Sequence, residues 1–185
     1  MNKREMIINK SLEVFVEFGF HGAPITKLIK SAGVSNGTFF YYFKTKEDLI
    51  TAIYVATKEE LYDVLGIEIE QVVSLKKSIR ELWMKWVIWG SEHEQKFKFL
   101  ELFSNSPYVH QLNKEEMKNN FTFVQQLLRK GIEEEVIVSM DIRLLSELIY
   151  SSIRGTILFN QRNGMLSEVE MESVFNLMWK SIVNF

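Results

Sequence analysis

Apolar residues recur at helical spacing along almost the whole chain. In the first segment Ile8, Leu12, Phe15 and Val16 fall on one face, which is the i, i+3, i+4 pattern of an amphipathic helix. The pattern predicts an all-α protein of about nine helices. The predicted helices cover residues 3–18, 24–32, 36–43, 46–66, 74–90, 92–103, 114–130, 141–160 and 167–183.

Glycine and proline divide this pattern. We expect Gly19 and Gly131 to end helices, since glycine commonly follows the last periodic residue. The two prolines, Pro24 and Pro107, both stand at predicted helix boundaries. Asp141 and Ser167 are plausible N-caps of the last two helices.

The segment 25–49 predicts a helix, a tight turn, a second helix and the cap of a third. Gly33 suits a left-handed turn position, and Ser35 is a good N-cap for the helix that follows. On that helix the phenyl rings are predicted to face the core and the hydroxyl groups to face outward. The core set is Phe39, Phe40 and Phe43, and the outward set is Thr38, Tyr41 and Tyr42.

A β-strand is the alternative for the five consecutive aromatic residues 39–43, because aromatic residues favour strands and short apolar runs are ambiguous by periodicity. The context favours a helix. A glycine turn and a serine cap precede the run, and Thr45-Lys46-Glu47-Asp48 after it is typical of a capping box. No partner strand with period-two alternation lies nearby.

Charge is unevenly distributed along the chain. The 185 residues have a formal net charge of −2, but residues 1–50 hold seven Lys/Arg and five Asp/Glu, and the rest is acidic. No carboxylate occurs between Ile25 and Lys46. A weakly basic head on an acidic body can orient a protein on DNA, and a face of hydroxyls and lysines suits a phosphate backbone. Sequence-directed DNA binding is the function that this pattern favours.

Composition narrows the class of protein further. A hydrophobic content of 46% supports a real core, and the absence of cysteine excludes disulfides and thiolate metal sites. No run approaches the ~18 apolar residues of a membrane span, and the N-terminus lacks a continuous apolar signal region. We therefore expect a cytoplasmic protein without a membrane partner.

Enzyme signatures are missing from the sequence. The three histidines are scattered, and Glu92-His93-Glu94 is more typical of a solvated helix corner than of a metal site. No serine elbow, phosphate loop or dinucleotide fingerprint occurs. We expect no enzymatic activity, no metal and no cofactor.

The turn and the second helix resemble the recognition region of the TetR/AcrR family of bacterial transcriptional regulators. That pattern is alanine-glycine-valine-serine, any residue, glycine, threonine, a hydrophobic, an aromatic, a variable position, tyrosine or histidine, phenylalanine, two residues and lysine. It covers roughly the first quarter of the chain, and the remainder matches only in length and helical layout. The matching residues are Ala32, Gly33, Val34, Ser35, Gly37, Thr38, Phe39, Tyr42, Phe43 and Lys46.

The resemblance implies a homodimer that binds a pseudo-palindromic operator in double-stranded DNA. It implies a helix-turn-helix head over residues 1–47 and an effector-binding and dimerisation domain over 48–185. The expected function is repression, relieved by a small hydrophobic or amphipathic effector. The implied DNA-binding residues are Ser35 at the cap, Asn36, Gly37 and Thr38 at base edges, and Tyr41, Tyr42 and Lys46 at phosphates.

Three positions depart from the family pattern. Ala23 replaces a threonine or serine that caps the second helix and touches a phosphate, so Thr26 on the same helix is the candidate substitute. Ile29 replaces a usual alanine, which should enlarge the packing between the first helices. Phe40 replaces a usual tyrosine, which removes one possible hydrogen bond to a phosphate.

The last two predicted helices are more apolar than one inward stripe needs, and small residues around Gly155 would let another helix approach closely. The pattern alone fits the core of a monomer equally well, whereas the resemblance and the need of a helix-turn-helix for two half-sites favour a dimer. The candidate interface residues are Leu148, Ser152, Gly155, Thr156, Phe175, Met178 and Trp179.

Aromatic residues are concentrated in the middle of the chain. Any one of them is more often ordinary core, but as a set, and with the resemblance, they suggest a concave apolar effector pocket. The candidate lining residues are Trp83, Trp86, Trp89, Phe99, Phe103, Phe123 and Tyr150.

The competing function is an all-helical module that binds a small molecule or a partner without regulatory DNA binding. The outward face of Thr38, Tyr41 and Tyr42 distinguishes the two functions, since a pure binding module has no reason to keep that face free of carboxylates.

Overall fold

The structure is a computed structural model that describes residues 2–66, 74–112 and 122–184, and its description of Gln111, Thr122 and Phe123 is confined to the backbone. In these residues the chain forms nine α-helices and no named β-strand, which confirms the all-α prediction. The helices are α1 Lys3–Gly22, α2 Ile25–Ala32, α3 Asn36–Tyr42, α4 Lys46–Leu65, α5 Leu75–Glu92, α6 Glu94–Ser104, α7 Thr122–Glu133, α8 Ile142–Asn163 and α9 Glu168–Ile182.

A short 3-10 helix, Pro107–Gln111, follows α6. The first half of the helix predicted over 114–130 lies outside the described residues. None of the described helices combines the length and apolar character needed to cross a bilayer.

Close contacts divide the chain into two compact units. One contains the described residues of Met1–Glu60 and His93–Met117, and the other contains those of Leu61–Glu92 and Lys118–Phe185. In the first unit α6 and the 3-10 helix pack with the N-terminal helices, and the boundary at residue 47 between a DNA-binding head and an effector and dimerisation domain stays a prediction. The helix α4 therefore begins in the first unit and ends in the second.

Aromatic rings hold the first unit together. Phe20 lies edge-on to Phe99 at 5.6 Å and to Tyr108 at 5.3 Å between ring centroids, and Phe15 lies 5.3 Å from Phe20. Gly19 allows this arrangement, because it interrupts α1 with φ +70° and ψ 169°, a conformation open only to glycine. The helix thus kinks at Gly19 and places Phe20 in the core. The sequence predicted that the helix ends at Gly19, but it continues to Gly22.

The second unit is built around α5, α8 and α9. The Trp83 ring is fully buried, lies 6.0 Å from the Phe175 ring and donates from Nε1 to Ser152 Oγ at 3.1 Å. The predicted N-caps are present at the first turns of α8 and α9. Asp141 accepts from the Arg143 N–H, and Ser167 forms a capping box with Glu170.

Gly131 lies inside α7, and the prediction that it ends this helix is wrong. A Cβ at Gly131 would stand 2.5 Å from Leu75 Cδ2 and 2.6 Å from Ile137 Cδ1. Glycine is needed here because another part of the chain packs directly against the backbone. The helix ends at Glu133, and Glu135 then takes a left-handed conformation with φ +57°.

Candidate nucleic-acid interface

The turn between α2 and α3 has the geometry that a glycine permits. Gly33 has φ +62° and ψ 33°, and its N–H donates to the Lys30 carbonyl at 3.2 Å. The Val34 N–H donates to the Ile29 carbonyl at 3.4 Å. Together these bonds close the end of α2 as a Schellman motif, in which a left-handed residue costs little only if it is glycine.

Ser35 caps α3 as predicted. Its Oγ accepts the Thr38 N–H at 3.1 Å, which satisfies one of the amide groups that a helix start leaves unpaired. Its Oγ also lies 2.9 Å from Thr38 Oγ1, within hydrogen-bond distance. Asn36 and Gly37 are exposed and Thr38 is half-buried, so the first turn of α3 presents polar groups and bare backbone to solvent.

The inner face of α3 consists of two phenyl rings, where sequence predicted three. Phe39 is fully buried and Phe43 nearly so, whereas Phe40 is 40% exposed and lies edge-on to Phe39 at 5.5 Å. Phe39 and Phe43 are four residues apart and share a face, whereas Phe40 is rotated about 100° from Phe39. Phe40 therefore lies at the border of the outward face.

Two tyrosines form the outer part of this face. Tyr41 is 73% exposed, Tyr42 is 36% exposed, and their rings meet edge-on with centroids 5.0 Å apart. Their hydroxyls can each donate to a phosphate oxygen. The sequence places no carboxylate on α2, on α3 or in the turn between them.

Lys44 and Lys46 follow α3 in different surroundings. Lys44 Nζ donates to the Phe40 carbonyl at 2.9 Å and so binds one of the unpaired carbonyls at the end of α3, a role that sequence reasoning missed. Lys46 is half-buried in the first turn of α4, with Nζ 5.9 Å from the centroid of the Phe15 ring. The capping box of Thr45 with Asp48, with both hydrogen bonds at 3.0 Å, fixes the start of α4 and the position of Lys46.

The start of α2 carries the departure from the family pattern. Ala23 is fully buried, and Pro24 at the N-cap makes no hydrogen bond through its side chain. Thr26 is exposed in the first turn of the same helix. At the start of α2 the Thr26 hydroxyl is therefore exposed to solvent, whereas Ala23 is not accessible.

Family models match both parts of the chain. A model described as bacterial regulatory proteins of the tetR family matches residues 7–53, and a model described as the tetracyclin repressor-like C-terminal domain matches residues 54–183. The chain belongs to the TetR family. This regulator is thus a helix-turn-helix DNA-binding transcriptional regulator, and the resemblance seen in its recognition region is confirmed.

Similar proteins cover nearly all of the regulator. It is 26% identical to the "Fatty acid metabolism regulator protein" of Bacillus subtilis strain 168 over 158 aligned residues. The aligned residues cover 84% of this chain and 81% of the relative. A TetR family transcription regulator from Shewanella sp. PV-4 has a TM-score of 0.84 at 25% identity, with 100% of both chains covered. The transcriptional regulator FadR from Bacillus subtilis, solved in complex with stearoyl-CoA, has a TM-score of 0.74 at 22% identity over 96% of this chain and 98% of FadR.

The structure separates the residues predicted for the dimer interface. Leu148 is 47% exposed, and a Cβ built at Gly155 would meet nothing within 4 Å. The other five residues are buried or hydrogen-bonded within the single chain. Ser152 is half-buried and accepts a hydrogen bond from Trp83 Nε1, and four are buried within the single chain: Thr156, Phe175, Met178 and Trp179.

The exposed face of α8 and α9 contains other large apolar residues. On α8, Leu144 and Phe159 are 52% and 49% exposed, and they lie on the same stripe as Gly155 because their spacing is close to whole helical turns. On α9, Val169 is 76% and Leu177 is 71% exposed. We use the name α8–α9 apolar face for Leu144, Leu148, Gly155, Phe159, Val169 and Leu177.

The structure also divides the residues predicted for the effector pocket. Trp83, Trp86 and Trp89 are buried in the second unit, and Tyr150 lies there too, 5.6 Å from Trp86 between ring centroids. Phe99 and Phe103 belong to the core of the first unit, where Phe103 stacks on Tyr54 at 4.0 Å. The Phe123 side chain lies outside the description.

Proposed function

We propose that this TetR-family regulator is a homodimeric repressor that binds a pseudo-palindromic operator and leaves it when a small amphipathic effector binds. The observation that carries the proposal is the exposed face of α3, which is short, doubly capped, rich in hydroxyl groups and free of carboxylates. A face of this kind can enter a major groove without charge repulsion from the phosphates.

Each exposed group on this face has a role that suits its reach. Asn36, Gly37 and Thr38 begin the helix, and they approach base edges, since recognition helices use their N-terminal residues for this purpose. The other polar groups, on α2, at the cap of α3, on its outer face and at the start of α4, contact phosphates and fix the register without reading sequence. The proposed phosphate contacts are Thr26, Ser35, Tyr41, Tyr42 and Lys46.

The α8–α9 apolar face is the proposed dimer contact. It replaces the buried residues of the sequence prediction and keeps Leu148 and Gly155. Large exposed apolar groups on two consecutive helices are costly in water, and a second copy of the same helices would bury them. A glycine with open space beside it lets the second α8 approach closely.

The effector is proposed to bind in the second unit, near Trp86, Trp89 and Tyr150, and to be mainly apolar. Support comes from the aromatic content of α5 and from the likeness to a regulator solved with stearoyl-CoA. Long-chain acyl-CoA is therefore the first compound to test. By linkage, a ligand that disfavours the DNA-bound state binds more weakly when DNA is present.

Binding-site selection with the purified full-length protein tests the proposal. Random duplexes recovered over several rounds should converge on two inverted half-sites whose centres are related by helical turns of DNA. A Tyr41→Glu/Tyr42→Glu double variant is the control, because two carboxylates on α3 should abolish recovery while leaving the helical content unchanged. Recovery without any enriched sequence, or equal recovery by the double variant, would contradict the assignment of α3.

A further inference from the structure

Ser35 holds Thr38 at two points. Its Oγ accepts the Thr38 backbone N–H at 3.1 Å, and it also lies 2.9 Å from the Thr38 hydroxyl oxygen. The first bond is an ordinary helix cap. The second is not needed for capping, and both side chains are close enough to solvent for water to replace it. The contact between the two hydroxyl groups is therefore not explained by the stability of α3 alone.

The second bond fixes the whole Thr38 side chain. The hydroxyl and the methyl group of threonine share one Cβ, so a rotamer that places Oγ1 against Ser35 also sets the direction of the methyl group. Threonine in a helix otherwise divides between two rotamers, because its hydroxyl has alternative partners in the preceding turn. The Ser35 hydroxyl selects one of them before any DNA arrives.

We propose that Thr38 reads a thymine in the operator with its methyl group, and that Ser35 is the positioning residue that sets this methyl group by binding the hydroxyl. The proposal rests on the base contact proposed above for Thr38. Apolar contact with the C5-methyl group of thymine is one of the direct readouts of the major groove. With the hydroxyl engaged inside the protein, the methyl group is what remains for a base.

Gly37 supports this arrangement. A Cβ at Gly37 would meet only Ser35 Oγ, at 4.0 Å, so the fold itself leaves room for a side chain there. Glycine in a helix costs stability relative to alanine. Its presence beside Ser35 and Thr38 is explained if DNA comes close to this turn, where a larger side chain would stand between Thr38 and the base edge.

Two substitutions of Thr38 separate the methyl group from the hydroxyl. Thr38→Val keeps a methyl group with nearly the same shape, and Thr38→Ser keeps the hydroxyl alone. In binding-site selection, Thr38→Val should retain a preference for thymine at one position of each half-site, because valine has two methyl groups and one strongly preferred rotamer in a helix without any bond to Ser35. Thr38→Ser should lose this preference by about fivefold or more. The reverse result would overturn methyl reading. If both variants keep every base preference, Thr38 touches no base, and the proposed base contact fails with it.

Ser35→Gly tests the positioning role. Glycine is nearly as good an N-cap as serine, so α3 should remain folded while the Thr38 hydroxyl is released. The thymine preference should fall severalfold at that one position, and it should not fall further when Ser35→Gly is added to Thr38→Val. Ser35→Thr, which keeps a hydroxyl, should restore it.

Ser167→Gly, at the cap of α9, is the matched control for the loss of a serine cap and should leave base preference unchanged. An unchanged thymine preference in Ser35→Gly would overturn the positioning role, whether or not affinity for all sequences falls equally through the phosphate contact proposed for Ser35.

Discussion

Lys44 and Lys46 are two residues apart, yet their surroundings give them different roles. Lys44 binds the Phe40 carbonyl, where a cation favourably meets the negative end of α3. Lys46 stands in the first turn of α4, where a cation is unfavourable unless an anion neutralises it. A DNA phosphate at this place would do so.

Lys46→Ala should therefore weaken binding to all DNA sequences about equally and lower the salt slope by roughly one unit, because one phosphate contact releases about one counterion. A salt titration with specific and random duplexes measures both effects. Lys10→Ala is the control in the same unit, since Lys10 pairs with Glu13 at 3.0 Å on α1. Unchanged slope and affinity in Lys46→Ala would remove this residue from the interface.

The pKa of a third lysine, Lys58, also depends on its environment. It is 8% exposed on α4, and burial lowers its pKa from 10.5 to about 7. Between these two pKa values the unfolded chain binds a proton that the folded chain lacks, so stability rises with pH across this window. Below the lower value both states are protonated, and the full cost of burying the charge is present.

Lys58→Met should raise the free energy of unfolding at neutral pH by up to a few kcal/mol and flatten its rise toward alkaline pH, because the stem remains and the charge is removed. Urea unfolding at several pH values between about 6 and 10 measures this dependence. Lys10→Met, at an exposed position, should keep the wild-type profile. A wild-type stability that is flat over this range would show that Lys58 keeps an ordinary pKa.

At the scale of helices, glycines inside α7 and α8 serve opposite purposes. Gly131 is surrounded by Leu75 and Ile137 side chains of its own chain, whereas Gly155 faces open space. The first glycine allows close packing within the second unit. The second has no such use in a single chain, which is why the apolar face around it is proposed as a contact with a second copy.

Gly131→Ala should destabilise the protein by about 1–3 kcal/mol, because the new methyl group overlaps Leu75 and Ile137 and the surrounding structure must shift. Thermal or urea unfolding measures the loss. Gly22→Ala is the control, since a Cβ there meets only Phe18 Cβ at an ordinary 3.5 Å, and it should be neutral or slightly stabilising. Equal stability of the two variants would show that α7 can move away from its neighbours without cost.

At the scale of the whole molecule, the α8–α9 apolar face makes a prediction about assembly. Gly155→Arg should give a folded monomer with weakened operator binding, because the new side chain has space in its own chain but would enter the proposed contact. Sedimentation measures the mass, and circular dichroism checks the fold. Glu147→Arg, on the charged side of α8 next to Arg143, should stay dimeric. A dimeric Gly155→Arg protein with normal DNA binding would place the interface elsewhere.

The buried tryptophans of α5 make a prediction about the effector. Long-chain acyl-CoA should change tryptophan emission and release operator DNA over the same concentration range, because Trp83, Trp86 and Trp89 all lie on one helix of the proposed site. Coenzyme A without the acyl chain is the matched control and should do neither. Emission that changes without any loss of DNA binding would separate ligand binding from regulation.

The sequence by itself determined the all-α class, the caps of α3, α8 and α9, and the recognition turn. These features depend on interactions within about four residues, such as the Ser35 cap of α3, the left-handed Gly33 and the capping box at Ser167. The recognition region was equally readable, because its chemistry is concentrated in one continuous stretch. Local signals of this kind do not depend on where the rest of the chain lies.

Only the tertiary structure decided how the apolar residues are shared among surfaces. Apolar periodicity shows that a residue needs cover, but not which part of the chain supplies it. Phe175 is covered within its own unit and Leu177, two residues later, is left exposed. Phe99 packs against Phe20 of α1, 79 residues earlier in the chain. Such contacts join residues far apart in sequence, so the packing of helices settles them and no local pattern records it.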